Sequence, residues 1–125
     1  LPGAEAFVRA LAAERPAVLL TNGIARIQRD RLARSPMSAL FQRVVISQEV
    51  GVAKPDPAIF QIALGGTAPD RALMIGDGIS SDVLGAGVDV CWFNPAGKAL
   101  PEGLHAEYEV RALADCLPIA LQSLA

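Results

Sequence analysis

Short apolar runs of strand length alternate along this chain with segments of helical periodicity, and this alternation constrains the fold more than any other feature. The runs lie at residues 17–20, 44–46, 72–75 and 88–93. Apolar runs of this length are typical of strands that are buried on both faces of a parallel sheet. The pattern therefore predicts an α/β fold with a mostly parallel sheet, formed by residues 1–125 as a single domain.

Helical spacing fills the segments between these runs. Proline suits the first turn of a helix and glycine its end, so a helix is expected from Pro57 to about Leu64, before Gly65-Gly66. The other predicted helices are the stretch around Phe7 that ends before Pro16, Ile24 to Arg34, Ser80 to about Ala86, and a tail from Arg111 that Pro118 interrupts. Residues 47–56 and 94–103 are predicted to be loops. The strands are expected to end with Thr21, Ser47, Asp77 and Asn94 towards one edge of the sheet.

The composition excludes several kinds of protein. A chain of 125 residues with a mean hydropathy of +0.37 is apolar enough to fold around a packed core. Its net charge of −2 argues against a nucleic-acid partner, and it has no apolar run of the roughly 20 residues that a membrane-spanning helix needs. Two cysteines, Cys91 and Cys116, fit a reducing cytoplasm and are expected to pack in the core. The first residue, Leu1, is not a methionine, so we expect a piece of a longer protein.

Polar side chains follow the predicted strands at the edge where parallel α/β proteins bind ligands. Thr21 can donate a hydrogen bond there, beside free backbone N–H groups of Asn22 and Gly23. The sequence contains neither a complete dinucleotide-binding glycine fingerprint nor a P-loop, which argues against a nicotinamide or P-loop nucleotide site.

A lysine and two aspartates complete the set of candidate residues. Lys54 lies in a loop before Pro55, and Asp77 and Asp82 lie five residues apart at the turn into a predicted helix. Two carboxylates so placed can share a hard cation such as Mg²⁺. A hydroxyl donor, a lysine and Mg²⁺ together suit a phosphoryl group, whose transfer depends on positioning and on charge neutralisation.

The chain resembles the haloacid dehalogenase superfamily of phosphohydrolases over nearly its whole length, and these residues lie in the order of that family's motifs. The second motif corresponds to residues 18–23, the third to Lys54 within residues 51–60, and the fourth to Gly76-Asp77 through Asp82. Residues 46–51 and 91–95 are most similar to the pyrimidine nucleotide 5′-nucleotidase branch. Each motif alone is weakly specific, whereas the ordered set is strongly specific.

The resemblance implies a Rossmann-like core and a Mg²⁺-dependent phosphatase whose substrate is a small phosphorylated molecule, a nucleoside monophosphate in that branch. It implies that Thr21 and the Asn22 amide bind the phosphoryl oxygens, and that Lys54 holds the nucleophile and neutralises the transition state. Asp77 would ligate Mg²⁺, and Asp82 would ligate it through water or orient Asp77. The related dehalogenases need no metal and usually lack Gly-Asp at this strand end, so Asp77 favours a phosphatase.

The family's first motif, Asp-x-Asp, and its cap domain have no counterpart in the chain. The missing nucleophilic aspartate implies an incomplete core that is inactive alone. In the family, the strand that carries the first motif lies between the strands that end here at Thr21 and Asp77. We expect these two strands to pair directly, because unpaired N–H and C=O groups on two buried edges would be costly. The connection from Gly76 to Gly87 is also short for a parallel crossover.

Purely structural roles are the alternatives for each residue. Thr21 could cap the following helix, Lys54 could be a solvated loop residue, and Asp82 could be an ordinary acid in a first helical turn. For the whole chain, the alternative is a non-catalytic truncated remnant or a small interaction module. No role is expected for His105, which has no nearby acid or thiol partner, or for a solvated row of arginines, Arg26, Arg29, Arg31 and Arg34.

Overall fold

A computed structural model describes residues 3–79 and 87–123 of the chain, in which short parallel strands alternate with helices as predicted. The strands are β1 (Val18–Thr21), β2 (Arg43–Ile46), β3 (Leu73–Gly76), β4 (Asp89–Phe93) and β5 (Tyr108–Val110). The α-helices are α1 (Ala4–Ala12), α2 (Ala25–Ala33), α3 (Ser47–Val50), α4 (Pro57–Leu64) and α5 (Cys116–Ser123). Short 3₁₀ helices precede β2, β3 and α5 (Ser38–Leu40, Pro69–Arg71 and Leu113–Asp115). None of the helices in the described ranges combines the length and the apolar character needed to cross a membrane.

The strands pair in two groups, and every pairing is parallel. β1 lies beside β2 in a register that sets Thr21 opposite Ile46. β4 lies between β3 and β5 and sets Trp92 opposite Gly76. Within each group the strands therefore end at a common edge, which confirms the predicted parallel arrangement.

In the part of the chain that the structure describes, β1 and β3 do not pair with each other, so the prediction of a direct pairing is wrong. All four residues of each strand are only partly buried. Water can therefore reach the backbone groups on the open edges, which reduces the cost that direct pairing would have avoided. The two strands therefore belong to separate strand groups.

β4 is buried on both faces, as its apolar sequence predicts. Val90 and Trp92 belong to a core cluster that includes α4, whereas Cys91 belongs to a second cluster with Phe7 of α1 and Cys116 of α5. The helices α1 and α5 also pack against each other. The group of β3, β4 and β5 is therefore the middle of three layers, with α1 and α5 on one side and α4 on the other.

The first of these clusters joins the two groups of strands. Val45 of β2 and Ile59 and Phe60 of α4 are buried together with Val90 and Trp92 of β4. Partly buried side chains of β1 and β3 pack against the same cluster. A shared core thus connects the two strand groups.

The ends of α4 follow from its sequence. Asp56 accepts a hydrogen bond from the backbone N–H of Ala58 at 2.9 Å, and Pro57 occupies the first turn. Gly65 ends the helix in the left-handed conformation, with a φ of 55°. A side chain at Gly65 would also collide with the guanidinium of Arg43. The predicted helix is confirmed at both ends.

Three local predictions are wrong. The predicted loop 47–56 begins with helix α3, which ends at Gly51 with a φ of 82°. Strand β5 is missing from the sequence prediction because its three residues, one of them Glu109, carry little apolar signal, and pairing with β4 makes it a strand. Helix α5 runs through Pro118, because a proline in the first turn removes no intrahelical hydrogen bond. The predicted helix from Ser80 to about Ala86 lies outside the described residues.

Candidate active site

Thr21 ends β1 and lies half-buried at the polar edge of its strand pair. Its Oγ1 donates to the backbone carbonyl of Asn22 at 3.1 Å. The helix that follows, α2, has Ile24 at its N-cap position and therefore no side-chain cap of its own. The first helical N–H, that of Ala25, donates instead to Oε1 of Gln48 at 2.6 Å. Thr21 does not cap α2, so the capping alternative is wrong.

The backbone N–H of Gly23, which was expected to be free, is engaged by a side chain. It donates to Oγ of Ser47 at 2.8 Å, and the same hydroxyl donates back to the Gly23 carbonyl at 3.3 Å. Ser47 directly follows β2, so this reciprocal contact connects the ends of β1 and β2. The expectation that the Gly23 N–H is available to a ligand is therefore wrong.

The side chain of Asn22 holds the loop that carries Lys54. Asn22 Oδ1 accepts a hydrogen bond from the backbone N–H of Lys54 at 2.8 Å, and Asn22 Nδ2 donates to the Lys54 carbonyl at 3.1 Å. The ammonium Nζ of Lys54 lies 3.4 Å from the Leu20 carbonyl in β1. The peptide bond between Lys54 and Pro55 is cis. Thr21, Asn22 and Lys54 are thus brought together, and Lys54 is half-buried rather than a solvated loop residue.

This contact between Asn22 and Lys54 is not visible in the sequence. The two residues are 32 positions apart, and no periodicity links the end of a strand to a loop beyond the next strand. From the sequence, only the amide of Asn22 next to Thr21 has an expected role, in binding phosphoryl oxygens. The structure gives the Asn22 side chain a different role, which is to position Lys54.

Asp77 directly follows β3, and it is exposed at the end of the other strand group. Its backbone carbonyl accepts a hydrogen bond from the indole Nε1 of Trp92 at 3.2 Å. Trp92 lies in β4 and is only 1% exposed. Because a buried indole N–H needs a partner, this bond fixes the backbone at Asp77 while the ring packs in the core. The apolar run at residues 88–93 predicts only that Trp92 packs in the core, so its contact with Asp77 is a second role that the sequence does not reveal.

Asp77 is one of two predicted metal ligands, and the other, Asp82, lies outside the described residues. Within residues 3–79 and 87–123, no three side chains of His, Cys, Asp or Glu come together as a metal site would require. An exposed carboxylate at a strand end is a hard oxygen donor of the kind that Mg²⁺ prefers. Asp77 therefore fits a magnesium site as one ligand among several.

The side chains of α3 contact the segment that follows β1. Besides the contacts of Ser47 and Gln48, Glu49 forms a bidentate ion pair with Arg29 of α2, at 2.7 Å from Oε1 to Nη2 and 3.0 Å from Oε2 to Nε. The hydrogen bonds lower the pKa of Glu49 and raise the pKa of Arg29. α2 buries none of its side chains, so its arginines lie on a solvated face, as predicted.

Two other predicted positions lie in or beside the loop between β4 and β5. His105 has an acidic partner, because Glu107 Oε2 lies 3.3 Å from His105 Nε2, so the prediction of no nearby acid is wrong.

Asn94, which follows β4, is 3% exposed. Its Nδ2 donates to Glu109 Oε2 and to the Lys98 carbonyl, both at 2.8 Å. These contacts order the loop before β5 and give Asn94 a structural role.

Several hydrolases are similar in sequence to this chain. The family model of the haloacid dehalogenase-like hydrolases matches residues 1–88. The chain is 40% identical over 119 residues to the pyrimidine 5′-nucleotidase YjjG of Escherichia coli, a match that covers 90% of this chain and 53% of YjjG. It is 43% identical over 116 residues to the phosphoserine phosphatase of Thermus thermophilus, covering 88% of this chain and 46% of that enzyme. The chain thus spans about half the length of the curated relatives that it matches.

A solved structure shares the fold as well. The hydrolase YfnB of Bacillus subtilis, whose crystal structure is bound to magnesium, matches with a TM-score of 0.90 and 28% identity. The match covers 96% of this chain and 55% of YfnB. The sequence similarity, the parallel strand arrangement and the order of the candidate residues along the chain all indicate the same family. The chain belongs to the haloacid dehalogenase-like hydrolases.

Proposed function

We propose that this chain forms the second half of the core of a Mg²⁺-dependent phosphomonoester hydrolase whose substrate is a nucleoside monophosphate. The observation that carries the proposal is the reciprocal contact between the Asn22 side chain and the backbone of Lys54. This contact holds a lysine at the end of β1, where the Lys54 ammonium lies 3.4 Å from the carbonyl of Leu20, the residue before Thr21. A fixed positive charge next to a hydrogen-bond donor suits a phosphoryl group, on which negative charge develops during transfer.

Each residue has a defined task in this proposal. The Thr21 hydroxyl and the backbone N–H of Asn22 bind phosphoryl oxygens, and the Lys54 ammonium neutralises charge in the transition state. Asp77 would hold Mg²⁺ together with Asp82, and the ion would supply further charge neutralisation on the phosphoryl oxygens. The nucleophile is an aspartate that a preceding segment supplies, so we propose that the chain alone is inactive.

The lack of pairing between β1 and β3 in the described residues supports an incomplete core. Thr21 ends β1 and Asp77 directly follows β3, so a strand that paired with both would end between these residues. In the family, that place belongs to the strand with the first motif. An aspartate at its end would lie between the phosphate-binding group of residues and the metal ligand.

The likeness to relatives supports the substrate class. YjjG is a pyrimidine 5′-nucleotidase and the Thermus thermophilus relative is a phosphoserine phosphatase, and both names describe hydrolysis of a small phosphomonoester. We favour a pyrimidine nucleoside monophosphate because YjjG matches over the larger share of the chain. A cytoplasmic location belongs to the same proposal and is supported by two cysteines that form no disulfide.

A non-catalytic interaction module is the second candidate function. The open edges of β1 and β3 favour it, because unpaired strand edges can accept a strand from another chain. The two candidate functions predict different results when the first motif is restored. A phosphatase would gain activity, whereas an interaction module would not.

The experiment compares the chain alone with a chimera in which the first half of YjjG precedes it. Phosphate release is measured with a panel of pyrimidine and purine nucleoside monophosphates and phosphoserine, with and without Mg²⁺. We expect Mg²⁺-dependent hydrolysis by the chimera and none by the chain alone. A folded chimera that hydrolyses none of the panel would instead support the interaction module.

Variants of the chimera test the residue assignments. Lys54→Ala is expected to lower turnover by about 10²- to 10³-fold, since it removes charge directed at the transition state. The matched control is Lys98→Ala, which removes the second lysine of the chain from an exposed loop and is expected to leave turnover unchanged. Hydrolysis by the chain alone that persists after Asp77→Ala would show that the proposed mechanism is wrong.

A further inference from the structure

The two cysteines of the chain lie side by side in its core. Cys91 is in the middle of β4 and Cys116 is the first residue of α5, and both side chains are fully buried. Their Sγ atoms are 3.4 Å apart, which is a thiol–thiol hydrogen bond. Nothing in the proposed hydrolysis uses either thiol. Because these are the only two cysteines, each is the other's only possible partner within the chain.

The two sulfur atoms lie close enough for a small movement to bring them to bonding distance. A covalent S–S bond is about 2.05 Å long, so the sulfurs would need to approach by roughly 1.4 Å. The hydrogen bond from Cys116 lowers the pKa of Cys91, and the same contact raises the pKa of Cys116. Cys91 is therefore the thiol that reacts as the thiolate, and Cys116 keeps the proton that a second step must release.

We propose that Cys91 and Cys116 form a reversible disulfide when a hydroperoxide oxidises them. The Cys91 thiolate attacks the peroxide oxygen and becomes a sulfenic acid, while the peroxide is reduced to an alcohol or, for hydrogen peroxide, to water. The Cys116 thiol then attacks the sulfenic sulfur, and water leaves. In total, the two thiols lose two protons and two electrons to one peroxide. Since both sulfurs are buried, the peroxide reaches them during local opening of α5.

The bond would connect α5 to the central strand of its group. Cys91 lies between Ile75 of β3 and Tyr108 of β5, and the next residue, Trp92, holds the carbonyl of Asp77. The disulfide would close a loop from residue 91 to residue 116, which removes conformational freedom from the unfolded chain. We therefore expect the oxidised chain to melt on the order of 10 °C above the reduced chain.

The experiment treats the folded chain with hydrogen peroxide and then counts thiols in denaturant. We expect a monomer that has lost both titratable thiols and two mass units, in which proteolysis leaves the peptides of Cys91 and Cys116 joined. Dithiothreitol should restore both thiols and the lower melting temperature.

Cys91→Ala and Cys116→Ala are the matched controls. Each is expected to show no peroxide-dependent rise in melting temperature, because one sulfur is missing. If neither variant folds, the test is the comparison of thiol count and melting temperature in the peroxide-treated wild-type chain before and after dithiothreitol. Two thiols that survive a peroxide dose sufficient to oxidise free cysteine would overturn the proposal. So would oxidation to sulfinic acid in place of a disulfide, or an oxidised monomer that melts below the reduced one.

Discussion

The contact between Asn22 and Lys54 leads to a prediction that can be tested without enzymatic activity. Asn22→Ala removes the acceptor for the Lys54 N–H and the donor to the Lys54 carbonyl, which are bonds of 2.8 and 3.1 Å. A typical hydrogen bond contributes about 0.5–1.5 kcal/mol. Because Asn22 is exposed, water replaces part of both bonds, and we expect the free energy of unfolding to fall by about 1 kcal/mol in total. Urea unfolding measures this change.

Amide hydrogen exchange shows where the change acts. With about 1 kcal/mol of local protection lost, the backbone N–H of Lys54 should exchange roughly fivefold faster in Asn22→Ala than in the wild-type chain. Asn22→Asp keeps an oxygen acceptor and should keep most of that protection, although it no longer donates to the carbonyl. In the chimera, Asn22→Ala should also lower turnover, because the ammonium that Lys54 carries is no longer held in place.

Gln48→Ala is the matched control for this series. It also removes a side-chain oxygen that accepts from a backbone N–H, in this case that of Ala25 at 2.6 Å. Exchange should therefore accelerate at Ala25 and stay unchanged at Lys54. An unchanged Lys54 exchange rate in Asn22→Ala would refute the positioning role of Asn22.

Two further predictions concern charge. In calorimetric titration, the chain should bind Mg²⁺ only weakly, since Asp77 and Asp82 supply too few ligands for a tight site. Asp77→Asn should abolish that binding while the control Asp70→Asn keeps it, and tight binding that survives Asp77→Asn would place the metal elsewhere. The pKa of Glu49 is lowered by Arg29, so this pair stabilises the fold above the unfolded-state pKa of about 4.5 and loses its effect as the pH falls below that value. Glu49→Gln should therefore lower the urea midpoint at pH 7 and not at pH 3, with Glu102→Gln as the control, and an equal loss at both pH values would contradict the ion pair.

The strands were predictable because burial imposes a pattern that the sequence must show. Val90 to Trp92 are apolar on both sides of β4, since helices cover both faces. β5 does not show this pattern, because Glu109 lies in its middle and only the pairing with β4 makes the segment a strand. The direct pairing of β1 and β3 was a wrong expectation because it treated both edges as buried, whereas both strands are partly exposed along their length.

The residues of the candidate site were predictable, whereas the contacts that position them were not. Thr21, Lys54 and Asp77 follow from motif order and from the rule that parallel strands carry ligands at their ends. The bonds from Asn22 to Lys54 and from Trp92 to Asp77 join different elements, and no local spacing encodes them. The sequence therefore identifies the chemical groups of the candidate site, whereas the structure is needed to identify the contacts that position them.

Those two contacts also explain how a site whose residues belong to two separate strand groups can keep its shape. On one side, Asn22 fixes Lys54 and belongs to the group of β1 and β2. On the other side, Trp92 fixes the backbone of Asp77 and belongs to the group of β3, β4 and β5. Each side is thus ordered by its own strand group, and neither side needs a further strand between the groups to hold its residues. Trp92 is also part of the core cluster that contains Val45 of β2, so the packing that joins the two groups acts on the same residue that fixes the backbone of Asp77. A strand that paired with both groups would therefore find Lys54 and the backbone of Asp77 already positioned. Its own contribution would be the nucleophile and the backbone hydrogen bonds that join the two groups.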